Sequence, residues 1–495
     1  MIQFAPKAAA PLRGPVGNGG KEEFRKWMIV LVSAIYWLLI FEGVLRKWVL
    51  PEWGRVLFFI RDPLVILLYA VALKSRMTPK QSPFLLIGML FAIISIPLVC
   101  LQFFFRTGDF DGAIAAYGWR NYFLYLPLAF LVAKYFPLTS IQRLMRWTLL
   151  VSIPIAVLVY LQFRAPGTAP INQGLGKTTE LQYANGGLGH GLVRTYGTFT
   201  SSSGQQVFIV SSVGMLLAAW MAPRLRRPVK SAPLLAATAA IVSCLALSGS
   251  RGAVIWSGLV VGTAFAVPLM TVGRGLALRV FLFPAALILT AILLVPLAFP
   301  KASEAFSERW SQAGESESEL YGTGGVFARA IYDLFSFNTL LVETPLQGYQ
   351  IGIGGNAAVS LNASNNRTKL SGAQSGAGES DWGRQILELG PIIGVLFILF
   401  RVAFVVWLAT EAIRATRKSG QPLPVLMFAF VGVLLFNGQV TGHGTLNGYG
   451  WLFAGFLMAV SDALKQTPVH RYPSSSAFSS RVPRPGLVHA HLTSA

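Results

Sequence analysis

The stretch LALSGSRGAVIWSGLVVG, residues 245–262, lies in the middle of 43 residues between Lys230 and Arg274 in which Arg251 carries the only charge. One helix crosses the hydrocarbon of a bilayer with about 20 apolar residues, so this run is long enough for two crossings joined by a tight turn. Ser248-Gly249-Ser250-Arg251-Gly252 has the composition of that turn. An arginine there lies at the water interface, where it costs far less than at the bilayer centre.

Composition points the same way. Hydrophobic residues make up 54% of the 495-residue chain and charged residues 12%, against about 25% charged in soluble domains. Mean hydropathy is +0.57. Apolar segments recur near 27–45, 56–73, 83–105, 121–136, 147–163, 205–222, 232–248, 253–272, 280–299, 385–410, 424–440 and 446–464. Their lengths suit helices rather than the alternating strands of an outer-membrane barrel. The expectation is an all-α polytopic membrane protein of about twelve transmembrane helices.

Lys and Arg orient it. With the N-terminus cytoplasmic, the tails and the loops near 74–80, 134–146, 223–230, 273–279 and 411–418 hold 24 of the 41 basic residues. Every cytoplasmic loop is then basic, and both termini are cytoplasmic. The net charge of +21 thus reads as an orientation signal with some attraction to anionic membrane lipids, not as a nucleic-acid footprint. The first segment runs into Phe41-Glu42-Gly43-Val44-Leu45-Arg46-Lys47 instead of a cleavage site, so it is expected to stay as an anchor. Residues 1–26 and 466–495 read as disordered tails flanking a membrane domain over 27–465. Cys100 and Cys244 fall inside apolar segments, which argues against a disulfide framework or a cysteine metal site.

Two long loops, about 164–204 and 300–384, share the non-cytoplasmic face, and long loops that carry pattern usually carry function. The first contains GLVRTYGTFTSSSGQQ, residues 191–206. The second contains Phe327, Ile331, Leu334 and Leu341 at helical spacing, which predicts an amphipathic surface helix. It continues through PLQGYQIGIGG, residues 345–355, and GESDWGRQILELGPIIG, residues 378–394. The glycines of GYQIGIGG follow no strand, so they do not form a nucleotide loop. Arg61-Asp62 reads as a structural or snorkelling pair. His190 and His443, each in a glycine-rich turn, lack the fixed spacing of a metal site and read as loop residues.

SGSRGA after an apolar helix, R-x-x-G-T-F over 194–199, P-x-x-G-Y-x-I-G-x-G over 345–354 and E-x-G over 388–390 together resemble the bacterial O-antigen ligase and O-antigen polymerase superfamily over roughly residues 118–460. The resemblance implies a metal-independent glycosyltransferase of the bacterial inner membrane. Such enzymes move a glycan from an undecaprenyl diphosphate carrier to an acceptor hydroxyl at the periplasmic face. The acceptor is the lipopolysaccharide core in a ligase and another lipid-linked glycan in a polymerase; polysaccharide-assembly proteins are further expected partners. No cofactor and no metal is implied.

Guanidinium groups bind phosphate oxygens through paired hydrogen bonds and stabilise charge growing on a leaving diphosphate. Carried over from the arginine motifs, Arg194 and Arg251 are the expected diphosphate clamp, with Arg120 in GWRNYF and Arg329 on the surface helix as further candidates. Family members place a basic histidine about nine residues before the Glu of E-x-G. Counting back from Glu388 gives Glu379 instead, so Glu379, or Asp381 beside it, is the expected general base. A transporter or flippase of lipid-linked saccharide would share the helix number but bind near the midplane through repeated halves, and no such repeat is present. A non-catalytic subunit of a polysaccharide export complex is the remaining alternative.

Overall fold

The computed structural model describes residues 18–105, 110–174, 187–188, 192–222, 229–270, 274–321, 331, 334–335, 337–355 and 380–466. The chain is helical throughout these, apart from connecting loops and one antiparallel pair of two-residue strands, β1 (Gly187–Leu188) and β2 (Leu192–Val193), with Gly187 opposite Val193. The helices in chain order are α1 (Asn18–Val44), α2 (Asp62–Lys74), α3 (Pro83–Phe104), α4 (Gly112–Trp119), α5 (Leu126–Tyr135), α6 (Leu138–Arg164), α7 (Ser202–Met221) and α8 (Ser231–Leu247). They continue with α9 (Arg251–Met270), α10 (Arg274–Ala298), α11 (Pro300–Tyr321), α12 (Phe337–Glu343), α13 (Asp381–Leu389), α14 (Pro391–Ser419), α15 (Leu423–Asn437) and α16 (Gly444–Gln466).

Each of the twelve apolar segments coincides with helix, but three are interrupted. The run at 56–73 breaks before Asp62, that at 121–136 at Tyr125, and that at 385–410 at Gly390. Among the described residues six helices are long and apolar enough to cross a membrane, and a seventh if α10 and the start of α11, bent by 104°, count as one span. The shorter α8 and α15 are equally apolar in character.

Packing sorts the helices into inner and outer. The centre holds α7, α15 and α16, whose side chains are buried around almost the whole circumference. Helix α16 carries Gly448, Gly450 and Gly455, and Gly455 comes so close to α5 that a Cβ would lie 2.8 Å from the Ala129 carbonyl oxygen. Small residues allow such close backbone approach between membrane helices. The outer helices expose rows of large apolar side chains, among them Leu86, Leu90, Ile93, Ile96 and Phe104 on α3 and Leu289, Ile292 and Leu293 on α10. So extended an apolar surface is a membrane-facing one.

Caps and glycines fix the ends. Ser82 Oγ accepts the Phe84 amide at 3.3 Å ahead of Pro83, starting α3, and Asp111 Oδ1 accepts the Ala113 amide at 2.8 Å, starting α4. Gly390, at φ 80°, separates α13 from α14; a Cβ there would lie 2.0 Å from the Leu346 carbonyl oxygen. Only glycine takes that conformation at so close an approach. The second long stretch opens not as a loop but as α11, whose Ala302 and Ala305 face inward. The surface helix expected over 324–345 is described as helix at Phe337–Glu343; Phe327 and Arg329 lie outside the described residues, as do the two expected tails beyond 18–466.

Candidate functional site

The 194–201 segment is pinned from three sides. The Gln162 side chain on α6 accepts the Gly197 amide at 2.8 Å and donates to the Gly197 carbonyl at 3.2 Å, and Lys47 Nζ donates to the same carbonyl at 3.0 Å. Gly43 on α1 lies flush against Thr198, where a Cβ would come within 2.2 Å of the carbonyl oxygen. These contacts account for the G-T-F portion of the motif. Next to Arg194, Thr195 Oγ1 donates to the Leu247 carbonyl at 3.1 Å, the last residue of α8. The two arginine motifs are thus neighbours, although Arg194 and Arg251 stand far apart in sequence.

In the turn that follows, Ser248 Oγ accepts the Ser250 amide and Ser250 Oγ accepts the Ala253 amide, each at 3.2 Å. Gly249 takes φ 58°. Arg251 is therefore the first residue of α9, half-buried, at the positive end of that helix's dipole. A cation is disfavoured there and an anion favoured. Arg194, one residue before the Thr195 that binds Leu247, is also half-buried.

Behind it is a layer of buried ion pairs. Glu42 meets Arg46 at 3.0 Å and Arg61 at 2.8 Å. Asp62 accepts two hydrogen bonds from Arg120, at 2.8 and 2.6 Å, and one from Tyr125 at 3.0 Å. Arg61 and Asp62 thus belong to two separate pairs rather than to each other, which corrects the expected pairing. Asp381 meets Arg384 at 3.0 Å and also pairs with Arg401. Buried charges are tolerated only when partnered in this way.

The 438–443 connection joins these pairs to the arginine corner. Arg384 presses on Gly442 so closely that a Cβ would clash with its guanidinium. His443 Nε2 lies 2.9 Å from Ser201 Oγ, and a Cβ on Gly444 would lie 3.3 Å from Arg120 Nη1. Burial, then the Arg61, Arg384 and Arg46 charges, lower the His443 pKa to about 4, so its ring is neutral.

The glycine motifs also converge. The Tyr349 amide donates to the Leu387 carbonyl at 2.9 Å and the Gly354 amide to Glu388 Oε1 at 2.8 Å. Gln102 on α3 ties the loop down, donating to the Gln347 and Glu388 carbonyls at 2.8 and 2.7 Å and accepting the Ile351 amide at 3.0 Å. Gly352, at φ 87°, stacks directly on Gly118 of α4. The glycines serve backbone approach, not phosphate cradling. Glu388 lies on the short α13, outside the spans; burial pushes its pKa up to about 7 against the opposing Arg384 charge.

The residues named from sequence therefore divide. The segments that carry Arg194 and Arg251 meet through the Thr195–Leu247 hydrogen bond. Arg120 is at the same end, but its fork is occupied by Asp62 and its Nη1 also donates to Asn121 at 2.6 Å. It positions rather than binds. Asp381 is fully buried, and its two oxygens accept from Arg384, Arg401, Thr441 and Gln385. No lone pair is left for a substrate hydroxyl, so Asp381 is a structural anion and not a base. Glu379, Arg329 and His190 lie outside the described residues. From sequence, Arg61 reads as half of an Arg61–Asp62 pair, Arg46 and Arg384 carry no site role, and His443 reads as a loop residue. Among the described residues no group of three or more His, Cys, Asp or Glu side chains gathers as a metal site would require. No family model, curated protein or solved structure matches the chain.

Proposed function

We propose that the protein is a glycosyltransferase of the bacterial inner membrane, with about twelve spans and both termini cytoplasmic. It transfers a glycan from undecaprenyl diphosphate to an acceptor hydroxyl at the periplasmic face, as an O-antigen ligase or surface-polysaccharide polymerase. The observation that carries this reading is the Thr195–Leu247 hydrogen bond, which brings the segment of Arg194 to the turn from which Arg251 starts α9. A helix N-terminus favours an anion, and guanidinium groups bind phosphate oxygens through paired hydrogen bonds. A lipid diphosphate, tethered in the membrane and leaving with negative charge, is an anion that suits a partly exposed guanidinium pair beside a membrane helix.

In this mechanism Arg194 and Arg251 bind the donor diphosphate and stabilise the charge that grows on it as the glycosidic bond breaks. The buried pairs Arg120–Asp62 and Arg384–Asp381 hold α2, α4 and α13 in register behind the clamp. Basic loops on the opposite side support the orientation.

The glycans of a deletion strain test the reading. Loss of a polymerase leaves single repeat units where the parent has long chains, and loss of a ligase leaves long chains on the lipid carrier. Unchanged surface and lipid-linked glycans would reject both.

A further inference from the structure

Ser201 and His443 meet at 2.9 Å across 242 positions of sequence, joining the N-terminus of α7 to the start of α16. The ring is held by its own backbone: the His443 amide donates to the Gln439 carbonyl at 3.1 Å and the His443 carbonyl accepts the Asn447 amide at 2.9 Å. Ser201 Oγ accepts the Gly204 amide at 3.3 Å, so its own proton can point to Nε2, and we assign the tautomer with the proton on Nδ1. His443 is more than nine-tenths buried and its Nδ1 has no hydrogen-bond partner, whereas Ser201 is partly exposed. Ser201 lies one helical turn before Gln205, whose amide donates to Thr195 Oγ1 at 3.2 Å beside Arg194. Ser201, the partly exposed member of the pair, thus lies on the segment that also carries Arg194.

We propose that Ser201 and His443 are the proton acceptor of this site: the Ser201 hydroxyl takes the acceptor's proton as it passes its own to His443 Nε2. The proposal rests on the glycan-transfer reading and assigns a pair of residues to the step for which the motif spacing had offered Glu379. As the proton moves, the acceptor oxygen bonds to the anomeric carbon and the bond from that carbon to the diphosphate oxygen breaks. Its electron pair leaves with the diphosphate, and the imidazolium then returns its proton to water.

The surroundings give the pair a gate. Glu42 on α1 and Arg46 just beyond its end face the ring region, with Arg61 from the turn before α2 and Arg384 from α13. Burial and the three cations keep the ring neutral, and so available to accept a proton, but they oppose protonation. An anionic diphosphate at Arg194 and Arg251 offsets that positive field, so the ring gains basicity only when donor is bound.

The test uses the full-length protein in proteoliposomes with an undecaprenyl diphosphate-linked glycan, under single-turnover conditions and with donor affinity measured separately. His443→Ala is expected to lower the transfer rate by on the order of 100-fold or more, the usual contribution of a general base, with donor affinity kept. Added imidazole, filling the space left by the ring, restores part of the rate. Ser201→Ala lowers it as well, and Ser201→Thr, which keeps hydroxyl and cap, retains more of the rate than Ser201→Ala. Rate loss in His443→Ala that imidazole does not relieve, or near-normal turnover in either alanine variant, overturns the pair while leaving the transfer reading intact. Absence of transfer by the wild-type protein overturns the transfer reading and the pair together.

Discussion

Arg120 on the α4–α5 turn holds Asp62 at the start of α2 with two hydrogen bonds, of 2.8 and 2.6 Å, in a buried setting. Removing one partner leaves the other buried and uncompensated, at about 3–5 kcal/mol. Arg120→Ala should therefore lower the yield of folded protein and its unfolding midpoint in detergent, while Arg194→Ala, at the half-buried corner, should not. Asp62→Asn combined with Arg120→Gln should recover part of the loss. A normal midpoint in Arg120→Ala would show that the pair is dispensable.

Gly390 makes a second structural prediction. At φ 80°, with the Leu346 carbonyl oxygen 2.0 Å from the place of a Cβ, Gly390→Ala must move either α13 or the 345–348 turn. The expected result is protease sensitivity between residues 345 and 390 with the remaining helices intact. Wild-type resistance would contradict the tight junction.

The buried titratable groups set opposing pH dependences. Glu388, raised to about 7, binds its proton more tightly folded than unfolded, so its contribution is full below about 4.5 and is lost as pH rises through 7. His443, lowered to about 4, works the other way: its contribution is full above about 6.5 and is lost as pH falls through 4. Between 4.5 and 6.5 the two slopes oppose. Glu388→Gln should remove the decline towards pH 7, so that stability in detergent rises with pH from 4 to 6.5 and then levels. An unchanged profile in Glu388→Gln would remove Glu388 as its source.

Much of this fold is legible in the sequence because burial in a bilayer demands long apolar runs. The segment at 253–272 is found as Arg251–Met270 and that at 424–440 as Leu423–Asn437. The break at Gly390 is not legible, since an apolar run with one glycine looks continuous until the Leu346 carbonyl is known to press on it. Helix α11 was hidden for the opposite reason: its polar sequence reads as loop, and only the inward Ala302 and Ala305 give it a partner face. The span count differs because the runs at 56–73 and 121–136 are broken, α8 and α15 are short, α10 bends into α11, and glycines and polar residues dilute the apolar character of α16. That the two arginine motifs lie side by side is likewise known only from the Thr195–Leu247 hydrogen bond. The Ser201–His443 contact is not legible either, because nothing local in either turn points to the other.

Orientation has its own test. A cysteine at position 371 in place of serine should react with an impermeant thiol reagent in intact spheroplasts, and one replacing Ser231 at the start of α8 should not. Labelling confined to position 231 would invert the protein and move the arginine corner to the cytoplasm.

The central claim is that Arg194 and Arg251, not a divalent cation, hold and neutralise the donor diphosphate. It is tested most directly by the rate of glycan transfer from undecaprenyl diphosphate by purified protein in excess chelator. Lysine keeps the charge of arginine but loses its planar fork. The wild-type protein should therefore transfer at full rate, Arg→Lys at either position should retain a fraction, and Arg→Ala should lose about 100-fold or more, as expected when a donor aimed at developing charge is removed. Activity lost in chelator and restored by magnesium or manganese, or normal transfer by both alanine variants, would contradict it.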